Sequence, residues 1–242
     1  MIARAGLRVV DLAQPLSPAT AVWPGVQPLS ARTSATYGDD GAFMRDLAFG
    51  EHTGTHLDAP AHFAEGAMTV EGISADDLVC DAVVIDIRDA CAADPDYVLS
   101  AADVNEHEGV HGALPPRAAV LVCTGWSAFI ADGARYVGDL RFPGVSAEAA
   151  RLLVERNAAG LGIDTLSVDP GVSTDYAVHH TTLPAGLWHL EGLVNLELLP
   201  ARGALLAIGA PLLVGGSGVP ARPLALLPAE VPFSGERGRP SA

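Results

Sequence analysis

An α/β fold, with a mixed α+β arrangement as its variant, is what this sequence predicts, on three observations. Short apolar runs at residues 82–87, 118–123 and 160–163 have the length and aliphatic content of buried strands. Between the last two lies a helical stretch at residues 146–156. Ser146 can cap it, and Glu148 and Glu155 face water around Ala149, Leu152 and Leu153. Strand-like and helical pieces thus interleave along the chain, the pattern of a sheet covered by helices.

The remaining elements follow in order. Residues 7–12 form a first apolar strand. Val22-Trp-Pro-Gly25 is a tight turn, because Pro presets φ and Gly accepts a positive φ. Polar residues 30–40 form a loop or hairpin, and residues 44–49 a strand. A helical stretch around residues 178–183 precedes strands at 187–190, 205–209 and 224–227. No repeat or long linker divides the chain, so residues 1–228 are expected to form one domain. Residues 229–242 lack periodicity and read as a flexible tail.

Composition narrows the function classes. The 242 residues are 49% hydrophobic and 18% charged, as in globular proteins. A formal charge of −15 with scattered arginines argues against nucleic acid as a partner, since a phosphate-binding surface needs clustered cations. Lysine is absent, which removes Schiff-base chemistry and a P-loop lysine. Cys80, Cys91 and Cys123 form neither a CxxC pair nor an even framework, and they read as reduced thiols. The first residues lack a secretory apolar stretch, and no apolar run reaches membrane-spanning length. A cytoplasmic location without membrane partners is therefore expected.

Chemistry concentrates in one segment, His52-Thr-Gly-Thr-His56-Leu-Asp58-Ala-Pro60-Ala-His62. Gly54, Pro60 and the β-branched threonines disfavour a helix. In an extended chain the even positions share a face, which brings together imidazole and carboxylate groups suited to Zn²⁺ or Mn²⁺. A straight strand would hold the His52 and His56 Cα atoms about 13 Å apart, which two imidazoles on one ion can barely span, whereas those of His56 and Asp58 would lie only about 6.6 Å apart. The chain must therefore bend, most cheaply at Gly54. Pro60 turns His62 onto a separate direction, where it can serve as an acid or base beside a metal. Glu191, set among leucines, needs a cationic partner if it is buried.

The segment, extended through Phe63, resembles the signature of the metal-dependent cyclase family, which includes bacterial kynurenine formamidase and isatin hydrolase. Asp11-Leu-Ala-Gln-Pro-Leu-Ser with Val22-Trp-Pro-Gly25, residues 162–169, His179-His180, residues 190–193 and residues 216–223 extend the resemblance from about residue 8 to about residue 228. It implies a single domain of the swivelling β/β/α type. His52, His56 and Asp58 would hold a first metal, and His62 would shuttle the proton. His179, twelve positions before Glu191, would join it in holding a second metal and is preferred to His180. One or two Zn²⁺ or Mn²⁺ ions are implied. Trp23 would wall a flat substrate ring, and a homodimer or homotetramer is expected.

The expected reaction is hydrolysis of an amide, cyclic amide or lactone carbonyl in a small molecule by a metal-activated water. Arylformamides and isatins are the family's precedents, and residues 167–186 resemble the isatin branch more. A cyclase or dehydratase of natural-product biosynthesis, or a metal- or ligand-binding protein without turnover, are the rivals. Two other motifs carry less. His107-Glu-Gly-Val-His111 fits the HExxH zinc pattern, but Gly109, Gly112, Pro115 and Pro116 are expected to undercut the helix it needs. Gly215-Gly-Ser-Gly218 lacks the Gly-Lys of a phosphate loop and reads as a turn. Ser167 and Asp169 are expected to shape the loop near His179.

Overall fold

A computed structural model describes residues 6–229. All of the expected tail except Ala229 lies outside them. The strands are β1 (Leu7–Asp11), β2 (Ser30–Ala35), β3 (Met44–Ala48), β4 (His56–Asp58), β5 (Val79–Asp86), β6 (Val98–Leu99), β7 (Ala119–Cys123), β8 (Gly144–Val145), β9 (Gly160–Ile163), β10 (Trp188–Glu191), β11 (Ala204–Gly209), β12 (Gly218–Pro220) and β13 (Arg222–Pro228). The α-helices are α1 (Tyr37–Asp40), α2 (Arg88–Ala93), α3 (Ala101–His111), α4 (Gly133–Val137), α5 (Ala147–Glu155) and α6 (Ala177–Thr182).

Nine strands form one curled sheet in the order β1-β13-β11-β5-β7-β9-β10-β4-β12. Its centre, β5-β7-β9-β10, is parallel, and its flanks are antiparallel. The mixed α/β expectation is thereby met. The first and last strands among the described residues, β1 and β13, pair with each other, Leu7 opposite Pro228.

Side-chain alternation sorts the two faces. Val83 and Ile85 of β5, Val120 and Val122 of β7, and Leu161 and Ile163 of β9 pack with Val104, Ala149, Leu153 and Val178 from α3, α5 and α6. Ala82, Val84, Ala119, Leu121, Trp188 and Leu190 point the other way, into a core closed by the flanking strands through Leu57, Leu206, Val219, Ala225 and Leu227. On that side Gly160 and Gly162 make room: a Cβ at the first would collide with Trp188, and one at the second with Leu121. The shortest-range consequence concerns β4 and β10. With Leu57, Trp188 and Leu190 committed to the closed core, His56, Asp58, His189 and Glu191 must emerge on the helix-bearing face.

Helix α5 forms as expected, with the Ser146 hydroxyl accepting the Ala149 N–H. The prediction for residues 107–111 is corrected. They are helical, in α3, with Gly109 inside the helix and Gly112 just past its end. The missed signal is a capping box: Ser100 and Asp103 each accept the other's backbone N–H. That cap, with Val104 and His107 buried, offsets the cost of about 1 kcal/mol for a mid-helix glycine. Residues 30–48 form the β2–β3 hairpin, separate from the main sheet and exposed along nearly all its length. Among the described residues no helix is long and apolar enough to cross a membrane.

Candidate metal centre

The bend required between His52 and His56 is present. Gly54 has φ +67°, in the left-handed region. It brings the two imidazoles edge to face with ring centroids 5.2 Å apart. His56 and Asp58 then share one face of β4, and residues 60–62 form a short 3₁₀ turn that swings His62 back over His52. The rings of His52 and His62 stack at 4.0 Å with a 27° tilt.

Antiparallel pairing of β4 with β10 supplies the rest. His189 lies opposite Asp58, and Glu191 opposite His56. His56 Nε2 is 3.3 Å from Asp58 Oδ1 and 3.3 Å from Glu191 Oε2, and His52 Nδ1 is 2.6 Å from Asp58 Oδ1. Helix α6 delivers His179, whose Nε2 is 3.5 Å from Glu191 Oε1 and 3.9 Å from Asp58 Oδ2. His180, next along the helix, is exposed. All five expected ligand positions therefore meet at one point of the sheet, with His62 alongside.

Outer hydrogen bonds fix the orientation of these rings. Gly54 O lies 2.9 Å from His56 Nδ1, which leaves Nε2 facing the carboxylates. Asp169 lies 2.6 Å from His179 Nδ1 and accepts the Val178 and His179 N–H groups, so one carboxylate both anchors the start of α6 and aims its histidine. Ser167 Oγ accepts the Asp169 N–H. His52 Nε2 lies 3.1 Å from the Ser217 hydroxyl, which donates to Glu51. A Cβ on Gly218 would collide with the His52 ring. The glycine-rich turn at 215–218, dismissible from sequence, thus forms the seat of the His52 ring.

The donor set fits a divalent cation. Asp58 and Glu191 are buried side by side, and Asp58 Oδ2 is buried with no hydrogen-bond partner. Burial works against charge on His56, yet the Asp58 and Glu191 carboxylates hold its pKa well above the ordinary value. Burial likewise opposes charge on Asp58, but His56 and His52 keep it ionised well below the usual carboxylate range. His179 is raised too, against burial, by Asp169, Glu191 and Asp58. Two buried carboxylates here draw protons onto imidazoles, which is the positive charge that an ion would supply. His52, His56 and Asp58 form one group with converging donor atoms; Asp58, His179, His189 and Glu191 form another.

A cavity of about 340 Å³ opens over this cluster. Trp23, Val26, Phe63, Leu166 and Tyr176 wall it, with His62 at its floor. Trp23 meets Phe142 edge-on at 6.3 Å and Tyr176 at 6.2 Å, so the Trp-Pro-Gly turn projects the indole over the site of its own chain. Burial, then the imidazoles of His52, His179 and His56, outweigh the Asp58 charge and push the His62 pKa down to about 4. Its ring is neutral near pH 7 and able to accept a proton.

Sequence reasoning missed His189, Tyr176 and Ser217. For His189 the signal was its position two residues before Glu191 on a strand. The HExxH motif is a different matter. His107 and His111 are neighbours, with centroids 4.7 Å apart, but Glu108 is held by Arg156 and by the Leu114 N–H.

Comparison with known proteins identifies the chain's relatives. The Cyclase family model matches residues 10–170. An isatin hydrolase of Roseibium aggregatum is 32% identical over 207 residues, covering 79% of this chain and 78% of that protein. A kynurenine formamidase of Salinibacter ruber is 30% identical over 220 residues, 89% of this chain and 96% of that protein. The solved structure of isatin hydrolase A from Ralstonia solanacearum superposes with a TM-score of 0.86 at 35% identity, over 91% of this chain and 92% of the other. Two structures described as a potential and a predicted metal-dependent hydrolase match at 26% and 27% identity over 91% of this chain and 98% of theirs, each with a TM-score of 0.72. The chain therefore belongs to the Cyclase family, as a metal-dependent hydrolase of that family acting on C–N bonds.

Proposed function

We propose that the chain opens the ring amide of a flat, uncharged, isatin-like substrate. One observation carries this reading: the cavity over the His/Asp/Glu cluster is walled by Trp23, Phe63 and Tyr176 and, among the described residues, has no arginine in its lining. N-formylkynurenine, the other precedent, carries an ionised amino-acid group that would lose its hydration here without a charged partner. A planar bicyclic amide needs only stacking surfaces and a hydrogen bond or two.

His52, His56 and Asp58 are the ligands we assign to the ion nearest the cavity, and Asp58, His179 and Glu191 those of a second; His, Asp and Glu donors suit Zn²⁺ and Mn²⁺ alike. A bound divalent cation supplies polarisation of the substrate carbonyl and a water of lowered pKa. Trp23 and Phe63 orient the ring and keep bulk water from the carbonyl. The neutral His62 imidazole takes the proton from the attacking water and returns it to the departing nitrogen. A protein that merely bound metal would have no use for a base placed in this way.

The β2–β3 hairpin supports a homodimer or homotetramer: Phe43, Met44 and Leu47 are exposed on it, and Tyr37 stacks on Phe43 at 6.2 Å. Three buried free cysteines support the reducing cytoplasm. The pairing of β1 with β13 supports one domain over residues 1–228.

The test is a panel of isatin, formanilide, N-formylkynurenine and an aryl lactone, assayed with Zn²⁺-loaded and Mn²⁺-loaded enzyme. Isatin should be hydrolysed with the highest kcat/KM. A higher kcat/KM for N-formylkynurenine would overturn the uncharged-substrate reading, and turnover undiminished by exhaustive chelation would overturn the metal assignment.

A further inference from the structure

His189 is wholly buried on β10, directly across from Asp58. Its Nε2 lies 2.6 Å from the Thr182 hydroxyl oxygen. That hydroxyl has one proton, and it donates it to Val178 O at 2.8 Å. Thr182 can therefore only accept from His189, which fixes the Nε2–H tautomer and leaves a lone pair at Nδ1. Nδ1 is buried and has no hydrogen-bond partner, and the same is true of Asp58 Oδ2, 3.8 Å away. Two acceptors thus face each other with no donor between them, too far apart for a hydrogen bond. A buried pair of lone pairs left in this way is costly unless something positive sits between them.

The separations match those of ligands on one ion. Donors about 2.1 Å from a tetrahedral metal lie about 3.4 Å from one another, and somewhat further when coordination opens. Around this point His189 Nδ1–Asp58 Oδ2 is 3.8 Å, His179 Nε2–Asp58 Oδ2 3.9 Å and His179 Nε2–Glu191 Oε1 3.5 Å. The rings of His179 and His189 stand at 80° with centroids 4.7 Å apart, so both can point a nitrogen inward without overlapping.

We infer that His189 Nδ1 is a ligand of the second cation position, which makes that position a closed set of four donors: Asp58, His179, Glu191 and His189. The inference rests on the reading of the cluster as a metal centre. It divides the labour within that centre. The first position has three donors, His52, His56 and Asp58, with His52 only part-buried, so it keeps a place for water and substrate. The second is saturated by four buried protein donors, of which His179 and Glu191 border the same cavity. Closed sites hold structural ions and open ones do chemistry. Thr182 is the positioning residue that presents the His189 lone pair.

The experiment uses full-length protein labelled with ¹⁵N-histidine, loaded with Zn²⁺, together with His189→Phe and Thr182→Val. In the metal-free protein, ¹⁵N spectra should find His189 as the Nε2–H tautomer, and Zn²⁺ should shift its Nδ1 resonance. His189→Phe should lose at least tenfold in affinity for the more tightly held Zn²⁺, read by chelator competition. Thr182→Val should lose less and should restore a mixed tautomer. Should His189→Phe fail to fold by circular dichroism, the Nδ1 shift in the unsubstituted protein decides alone. A protein that binds Zn²⁺ while His189 Nδ1 stays unmoved overturns this inference and leaves the metal centre standing. A protein that binds no Zn²⁺ overturns both.

Discussion

Two segments of this molecule carry a pair of histidines four positions apart with an acidic residue close by, and only one of them converges on a site. His107 and His111 sit on α3 in the register of a zinc helix, with Glu108 between them. His52 and His56 lie on a bent, extended segment that no helical template would select. Yet the acid of the first pair is consumed by Arg156 and a backbone N–H. The acid of the second, Asp58, keeps a buried oxygen without a partner and meets Glu191 from a strand more than a hundred residues away. Spacing along the chain therefore says less about metal binding than the fate of the carboxylate. His107 Nε2 is buried without a partner as well, so what separates the two segments is the carboxylate: spent on Arg156 in one, converging with Glu191 and several imidazoles in the other.

The sharpest break of this comparison is Asp58→Asn. It removes the carboxylate placed between both groups of histidines, and loss of several kcal/mol of charge stabilisation corresponds to about a thousandfold in rate. Bound metal, measured by elemental analysis, should fall with it. His62→Ala comes next: kcat should drop by about 10²- to 10⁴-fold, the usual range for a lost general base, with metal content unchanged. Metal lost in parallel would make His62 a ligand instead. Gly218→Ala forces a methyl group against the His52 ring and should cost about 10- to 100-fold in affinity for the first ion. Asp169→Asn should cost a similar factor at His179, detected as easier removal of the second ion by chelator.

Much of this site was legible because it is local. The bend at Gly54, the shared face of His56 and Asp58 and the separate direction of His62 all follow from backbone geometry within eleven residues. The preference for His179 over His180 came from the resemblance, and the structure separates them by burial. What stayed hidden was tertiary. His189 became a candidate only once the β4–β10 register put it across from Asp58, and Ser217 only once β12 laid the glycine-rich turn against His52. Helix α3 was misjudged for the opposite reason. Two glycines were weighed locally, while the capping box at Ser100 and the buried face that offset them were not.

The smallest expected effect returns to that helix. If Glu108 is a structural group, Glu108→Gln should leave metal content and kcat unchanged, because neither histidine beside it has a ligand to share. Its cost should appear in stability alone. The pair with Arg156 is partly exposed and screened by water, so its contribution to stability is small. The amide can still accept the Leu114 N–H, so the loop after the helix should hold its place. A fall in Tm of a few degrees, with unaltered Zn²⁺ stoichiometry, is the outcome consistent with an acid already spent. Loss of an ion on this substitution would mean that α3 carries a second centre, and that the fate of the carboxylate does not separate the two histidine segments.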